Sequence, residues 1–151
     1  MSKQEFMGAL VAEIRNCRRC RLWRGAKNPI PGEGDLDTPL MLIGEAPGYW
    51  EDVIGRPFMG AAGKLLDELL SSIELKRGEV YICNIIKHRP PGNRDPRQDE
   101  IEACTHFLER QIQIIKPELI YMHTQTTTYL QTIQRIQIRL ELSWIFPQTT
   151  Y

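Results

Sequence analysis

The sequence has no apolar run approaching the roughly 20 residues that a membrane-spanning helix needs. Its first five residues, MSKQE, are polar and lead into a helical pattern. That beginning differs from the apolar segment of a secretory signal peptide. We therefore expect a cytoplasmic protein with no membrane partner.

An excess of charge of either sign is also lacking, because 19 basic side chains balance 19 acidic ones. No global field is therefore available to recruit nucleic acid. The basic residues nevertheless fall into two groups, within residues 15–27 and within residues 87–97. Each group is interpreted either as solvated surface or as a local basic face. The second group contains Lys87, Arg89, Arg94 and Arg97.

Cysteine is scarce as well, with one residue each at positions 17, 20, 83 and 104. In a reducing cytoplasm an even count does not indicate a disulfide framework. The Cys-x-x-Cys spacing of Cys17 and Cys20 is typical of half a metal site, with a redox pair as the alternative. Cys104 and either Cys83 or His88 are available as further ligands. Cys83 and His88 would point to opposite faces of an extended strand, so Cys83 is also interpreted as an ordinary core residue. Zinc and an iron–sulfur cluster both stay open.

What the sequence does contain is alternation of short apolar strands with amphipathic helices over 151 residues, the length of one domain. Such alternation predicts right-handed βαβ units and a parallel sheet covered on both faces. Functional loops should then follow the carboxyl ends of the strands, where the segments 44–63 and 84–97 begin. The predicted helices are 4–16, 61–73 and 99–115, the strands 39–44, 80–86 and 118–123, and the loops 25–38 and 88–96.

The two longer predicted helices each have an apolar side. In helix 61–73 the predicted core face consists of Leu65, Leu66, Leu69 and Leu70. In helix 99–115 one side carries Ile101, Cys104, Phe107, Leu108, Gln111 and Ile112.

Three blocks of sequence carry a family resemblance. They are GEAPG-x-x-ED-x-x-GRPF-x-G-x-AG-x-LL, then Y-I-x-N-I-I-K-x-RPPGNRDP, then E-I-x-AC. In this order and spacing they resemble the family 4, iron–sulfur uracil-DNA glycosylases over residues 17–120. The resemblance implies a three-layer αβα sandwich with a central, mainly parallel sheet. It also implies hydrolysis of the N-glycosidic bond of uracil in DNA, with uracil-containing DNA as the partner of a monomeric enzyme.

The resemblance also implies roles for individual residues. Glu45 would handle the attacking water or stabilise the cationic sugar, and Asn84 would hydrogen-bond the uracil edge. Phe58 would stack on the flipped base, and Glu51 would lie near its C5 edge and disfavour a thymine methyl group. Ala46 and Gly48 are further substrate contacts implied by the same block. These roles agree with the chemistry, because a base must be extruded before its glycosidic bond is reachable and a fixed carboxylate stabilises charge on the sugar.

For the cofactor, the resemblance implies a [4Fe–4S] cluster. The matching ligand positions are Cys17, Cys20, His88 and Cys104, with histidine at the third position where the family has cysteine. Cys83 lies at a position that the family does not use for ligation. The alternative at this position is recruitment of Cys83 or loss of the cluster.

The last family block, a late His-Pro-Ser, is absent from the sequence, and His123 is a poor substitute by position. We therefore expect a single domain over 1–151 in which 124–151 is atypical or incomplete, through truncation, a frameshift or divergence. Two further hypotheses stay open: a catalytically weak iron–sulfur DNA-binding protein and a zinc-bound structural module.

Overall fold

The computed structural model describes residues 1–123 and contains four helices and four strands in that part of the chain. Helices are α1 (Lys3–Arg15), α2 (Tyr49–Ile54), α3 (Ala61–Ser72) and α4 (Gln98–Ile115), and strands are β1 (Glu33–Gly34), β2 (Leu40–Gly44), β3 (Tyr81–Asn84) and β4 (Leu119–Met122). Single 3-10 turns occupy Arg21–Arg24, Arg77–Glu79 and Pro91–Asn93. None of the helices within 1–123 combines the length and apolarity needed to cross a membrane.

The four strands form one sheet in the order β1-β3-β2-β4. Strands β2, β3 and β4 run parallel, and β1 pairs antiparallel with β3 at the edge. The predicted mainly parallel sheet is therefore confirmed. Strand β1 lies inside the predicted loop 25–38 and was not expected. It approaches β3 so closely that a Cβ atom on Gly34 would overlap the Val80 carbonyl, which explains glycine there.

Helices cover both faces of the sheet, because side chains alternate along each strand. On one face Met41, Ile43 and Tyr81 pack with buried residues of α1 and α4. On the other face Leu42 and Ile82 pack with Leu70 of α3. Burial of each such aliphatic side chain stabilises the fold by about 1.5–3 kcal/mol. These are the three layers of the predicted αβα sandwich.

The predicted core face of α3 is wrong at two of its four leucines. Leu70 is buried and Leu66 is partly buried against the sheet. Leu65 is 56% exposed and Leu69 is 54% exposed. Residues four apart share one helix face. Leu66 and Leu70 lie on the face that packs against the sheet, whereas Leu65 and Leu69 lie on a neighbouring face that is exposed. The predicted side of α4 is confirmed, since Ile101, Cys104, Phe107, Leu108, Gln111 and Ile112 are all buried.

The segment 44–63 is not wholly a loop, because α2 lies within it. The helix ends at Gly55, whose φ of 82° is the left-handed conformation that glycine adopts at helix C-termini. The tail predicted to be atypical or incomplete, residues 124–151, lies outside the described residues.

Candidate functional site

A cleft of about 180 Å³ lies at the carboxyl ends of the parallel strands, as the topology predicts. We call it the strand-end cleft. Its lining residues come from the ends of β2, β3 and β4 and from segment 44–63: Gly44, Glu45, Ala46, Glu51, Phe58, Ala62, Asn84 and His123. The structure thus brings together five of the six residues predicted to act on or bind substrate, and Gly48 is the exception.

Parallel pairing of β2 with β3 sets Glu45 and Asn84 beside each other. Gly44 is in register with Asn84. Beyond the strands the pairing continues, since the amide of Ile85 donates to the Gly44 carbonyl at 2.9 Å and that of Ile86 donates to the Glu45 carbonyl at 3.0 Å. The Asn84 side chain is almost entirely buried. A carboxylate and a fixed amide therefore share one wall of the cleft.

Gly44 is required by the close approach of an aromatic ring to that wall. A Cβ atom at Gly44 would lie 2.6 Å from Cζ of Phe58 and would also collide with Oδ1 of Asn84. Contacts below 3 Å of this kind require the neighbours to move. The absence of a side chain at Gly44 thus lets the Phe58 ring and the Asn84 amide sit side by side.

Phe58 has a φ of 53°, the left-handed region that a bulky residue rarely adopts. Arg77 holds this backbone, because its guanidinium donates to the Phe58 carbonyl at 3.1 Å and to the Pro57 carbonyl at 2.6 Å. The sequence reasoning missed Arg77. Its only sequence signal is a cation four residues before the start of β3, which does not reveal a contact with a segment 20 residues earlier.

Glu51 fastens the segment around the cleft. Its carboxylate accepts hydrogen bonds from the backbone amides of Gly48 at 3.0 Å, Met59 at 3.1 Å and Gly60 at 3.3 Å. Gly48 is therefore a hydrogen-bond donor to Glu51. Asp52, the next residue, is buried and accepts from the amides of Lys27 at 2.8 Å and Asn28 at 3.0 Å. The sequence reasoning gave no role to Asp52, which ties the segment around Lys27 and Asn28 to α2.

The cysteines separate into two environments. Cys83 is fully buried in the core with Met41 and Tyr81, as expected for an ordinary strand residue. Cys17 follows α1, Cys20 precedes the 3-10 turn, and Cys104 lies on α4.

The other three thiols lie within electrostatic range of one another. Burial raises the pKa of Cys104 to about 11, with smaller contributions from Cys17 and Cys20. Burial also raises the pKa of Cys20, to which Glu100 and Cys17 add.

His88 is buried, and this burial lowers the pKa of its imidazole, while nearby Asp52 acts in the opposite direction. Within residues 1–123 no three His, Cys, Asp or Glu side chains stand in an arrangement that would hold a metal ion. The predicted ligand set of Cys17, Cys20, His88 and Cys104 therefore stays a prediction.

The second basic group is not a continuous basic face. Lys87 is completely buried, and its ammonium donates to the Asn84 carbonyl at 2.6 Å and to Gln111 Oε1 at 2.7 Å. Arg94 pairs with the buried Glu100 at 2.7 Å. The polar Gln111 on an otherwise apolar helix side was the available signal for a buried polar partner. Through Lys87, α4 supports the strand end that carries Asn84.

Comparison with known proteins identifies the family to which the chain that forms this cleft belongs. The sequence profile of the uracil DNA glycosylase superfamily matches residues 31–148 of the chain. The chain belongs to the uracil-DNA glycosylase superfamily. The match includes every residue that lines the strand-end cleft.

Within the uracil-DNA glycosylase superfamily, the resemblance to family 4 is confirmed by curated relatives. The type-4 uracil-DNA glycosylase of Saccharolobus solfataricus is 47% identical over 134 residues, covering 87% of this chain and 61% of that protein. Those of Archaeoglobus fulgidus and Thermotoga maritima are 48% and 46% identical, covering 77% and 79% of this chain and 58% and 62% of those proteins. The chain thus spans about three fifths of the length of these relatives.

Proposed function

We propose that this protein hydrolyses the N-glycosidic bond of uracil in DNA, the first step of base excision repair. The observation that carries the proposal is the convergence of Glu45, Phe58 and Asn84 on one cleft of a superfamily member. The type-4 names of the relatives support the same reaction. Uracil-containing DNA is then the partner, and we keep the predicted cytoplasmic location and monomeric state as part of the proposal.

The strand-end cleft has the chemistry to hold one flipped pyrimidine. Its volume of about 180 Å³ is well below the roughly 300–1,000 Å³ of sites for drug-sized ligands, so a single ring suits it better than a whole nucleotide. Phe58 offers a face for stacking. The Asn84 amide offers a donor and an acceptor, which the adjacent carbonyl and N–H of the uracil edge require. Extrusion of the base from the DNA stack precedes its entry.

Bond cleavage separates charge, and the cleft has a group for each sign. The C1′–N1 bond breaks with its electron pair leaving on uracil, so negative charge develops on the base and positive charge on the sugar. Asn84 donates to the developing anion, and the Glu45 carboxylate stabilises the cationic sugar or directs the attacking water. Water adds to C1′, and the proton that it loses neutralises the uracil anion through solvent, which yields an abasic site and free uracil. Glu51, at the C5 edge, disfavours the thymine methyl group.

The direct test is incubation with a uracil-containing oligonucleotide, followed by alkaline cleavage at abasic sites. A matched oligonucleotide with thymine in place of uracil is the control. We expect cleavage of the uracil strand only, because the Asn84 amide matches the uracil edge and Glu51 disfavours the thymine methyl group. No cleavage at a large enzyme excess would refute the glycosylase proposal and favour a DNA-binding protein that retains the fold.

For the cofactor we propose a [4Fe–4S] cluster held by Cys17, Cys20, His88 and Cys104. The donor set supports it, since Cys17 and Cys20 pack against the buried cluster that contains Cys104, and His88 is buried next to Lys87, whose backbone amide hydrogen-bonds Cys104. When bound, the cluster would supply a covalent tie between the end of α1, the loop after β3 and α4. None of the catalytic roles above depends on it.

Metal analysis of anaerobically purified protein tests the ligand set. We expect about four iron and four sulfide per chain, the stoichiometry of this cluster type. The variant His88→Ala should lose iron, whereas the matched variant Cys83→Ala should retain it. The reverse pattern would transfer the ligand role to Cys83. A colourless protein that contains zinc would support the structural-module hypothesis instead.

A further inference from the structure

Two aromatic side chains at the start of α2 are largely exposed and lie beside the strand-end cleft. Tyr49 is 49% exposed and Trp50 is 57% exposed. Their ring centroids are 5.2 Å apart with an interplanar angle of 80°. Tryptophan is on average a well-buried residue, so a Trp with more than half its surface in solvent is unusual.

The position of Trp50 links this pair to the cleft. A Cβ atom at Gly60 would lie 3.6 Å from Cδ1 of Trp50 and 3.8 Å from Oε1 of Glu51. The Trp50 ring and the Glu51 carboxylate therefore approach Gly60 together, and Glu51 lines the cleft. The indole therefore lies on the side of the strand-end cleft where Glu51 contributes to the lining.

A cation completes the group. The guanidinium of Arg89 lies 5.2 Å from the centroid of the Tyr49 ring. Its Nε donates to Asn93 Oδ1 at 2.6 Å, which orients the planar group. Arg89 lies in the connection after β3, and Tyr49 begins α2 in the connection after β2, so the two side chains come from connections that both leave the carboxyl end of the sheet. We call Tyr49, Trp50 and Arg89 the aromatic rim.

We propose that the aromatic rim binds an unpaired nucleotide next to the target base, and that single-stranded uracil-containing DNA is the preferred substrate. This inference rests on the proposed function and specifies its substrate class. An exposed ring stacks on any base, because every base has a π-face, and the cation beside it complements the phosphate. In a duplex the neighbouring bases are already stacked and paired, so the rim gains less from binding there.

Fluorescence anisotropy with end-labelled single strands tests the inference, one strand carrying uracil and one carrying thymine at the same position. The variant Trp50→Ala should weaken binding of both strands by about five- to 150-fold, the range for one base–aromatic stack. The variant Trp50→Phe should restore most of it. The variant Phe58→Ala should weaken binding of the uracil strand selectively. The variant Phe6→Ala removes a 49% exposed ring on α1 and should change neither affinity.

A second test compares the affinity for single strands with that for duplex DNA and measures how the affinity depends on salt concentration. The effect of Trp50→Ala should be several-fold smaller on the corresponding duplex. The variant Arg89→Gln should reduce the slope of log affinity against log salt by about 0.7 on single strands, the value for one phosphate contact. Unchanged affinity of Trp50→Ala for both single strands would overturn the inference while leaving uracil excision intact. If the wild-type protein excises no uracil but Trp50→Ala still weakens its binding to single strands, the proposed function alone is refuted.

Discussion

Replacing Asn84 by alanine is expected to slow uracil release by about a hundredfold to a thousandfold, the usual effect of removing one preorganised donor to a developing anion. The side chain is almost fully buried, at the end of β3 and beside the Phe58 ring. Water therefore cannot easily replace the amide. The rate should fall in single-turnover measurements at saturating enzyme, where binding no longer limits the signal.

The variant Glu45→Gln tests the opposite charge at the same site. It keeps the size of the side chain and removes the negative charge that stabilises the cationic sugar in the proposed mechanism, so we expect a loss of similar size. Asn16→Ala is the matched control, because this amide only caps α1 through a 2.9 Å hydrogen bond to the Ala12 carbonyl. Equal rates for Asn84→Ala and wild type, with both proteins folded, would exclude Asn84 from the transition state.

The second large effect concerns stability. Glu100 has a fully buried side chain, and Arg94 donates to its two oxygens at 2.7 and 2.9 Å. Removing one partner of a buried pair leaves an uncompensated charge. We expect Arg94→Ala to lower the free energy of unfolding by about 3 kcal/mol, the lower end of the range for such losses. The low end applies because the Arg97 amide still donates to Glu100 at 2.8 Å and Nε of Arg21 still lies 3.7 Å from Oε1 of Glu100.

Comparing the urea unfolding of Arg94→Ala with that of Arg110→Ala isolates the effect of burial. Arg110 forms a similar two-pronged pair with Glu13, at 2.6 and 2.8 Å, but both side chains are exposed. Its loss should reduce stability by no more than about 1 kcal/mol. Equal losses for the two variants would show that Glu100 is not desolvated in solution.

The pH dependence of the buried pair has a defined sign. Hydrogen bonds from Arg94 lower the pKa of Glu100 below its ordinary value of 4.5. A lowered folded-state pKa means that the stabilisation is fully present above that ordinary value and is lost as pH falls through the folded-state pKa. The stability difference between wild type and Arg94→Ala should therefore be constant near neutral pH and shrink in acid, as measured by urea unfolding at several pH values.

Local sequence pattern predicted the elements of this fold well, because each depends on near neighbours. Periodicity gave α1, α3 and α4 within a residue or two and gave the three parallel strands. Strand β1 was missed, because two residues carry no period and their pairing depends on β3. Helix α2 was missed for a related reason, since its six residues are bounded by glycines typical of loops.

In the candidate site, too, the sequence predicted some features and the structure alone revealed others. Motif blocks identified Glu45, Phe58 and Asn84, and the topological rule for strand ends indicated that they would meet. The contacts that hold them did not follow from any motif. Arg77 supports Phe58 from 19 residues away in sequence, and the match is visible only once β3 lies beside segment 44–63.

By itself, therefore, the sequence determined the superfamily, the αβα order and five of the eight residues that line the cleft, because these are carried by local patterns and by motifs. Only the tertiary structure decided which side chains are buried. Lys87 is a surface cation by composition, yet it is enclosed through Gln111, 24 residues later. Leu65 and Leu69 are core residues by periodicity, yet they face solvent in the described part of the chain. Burial depends on which distant segments arrive in the same place, and a local pattern carries no information about that.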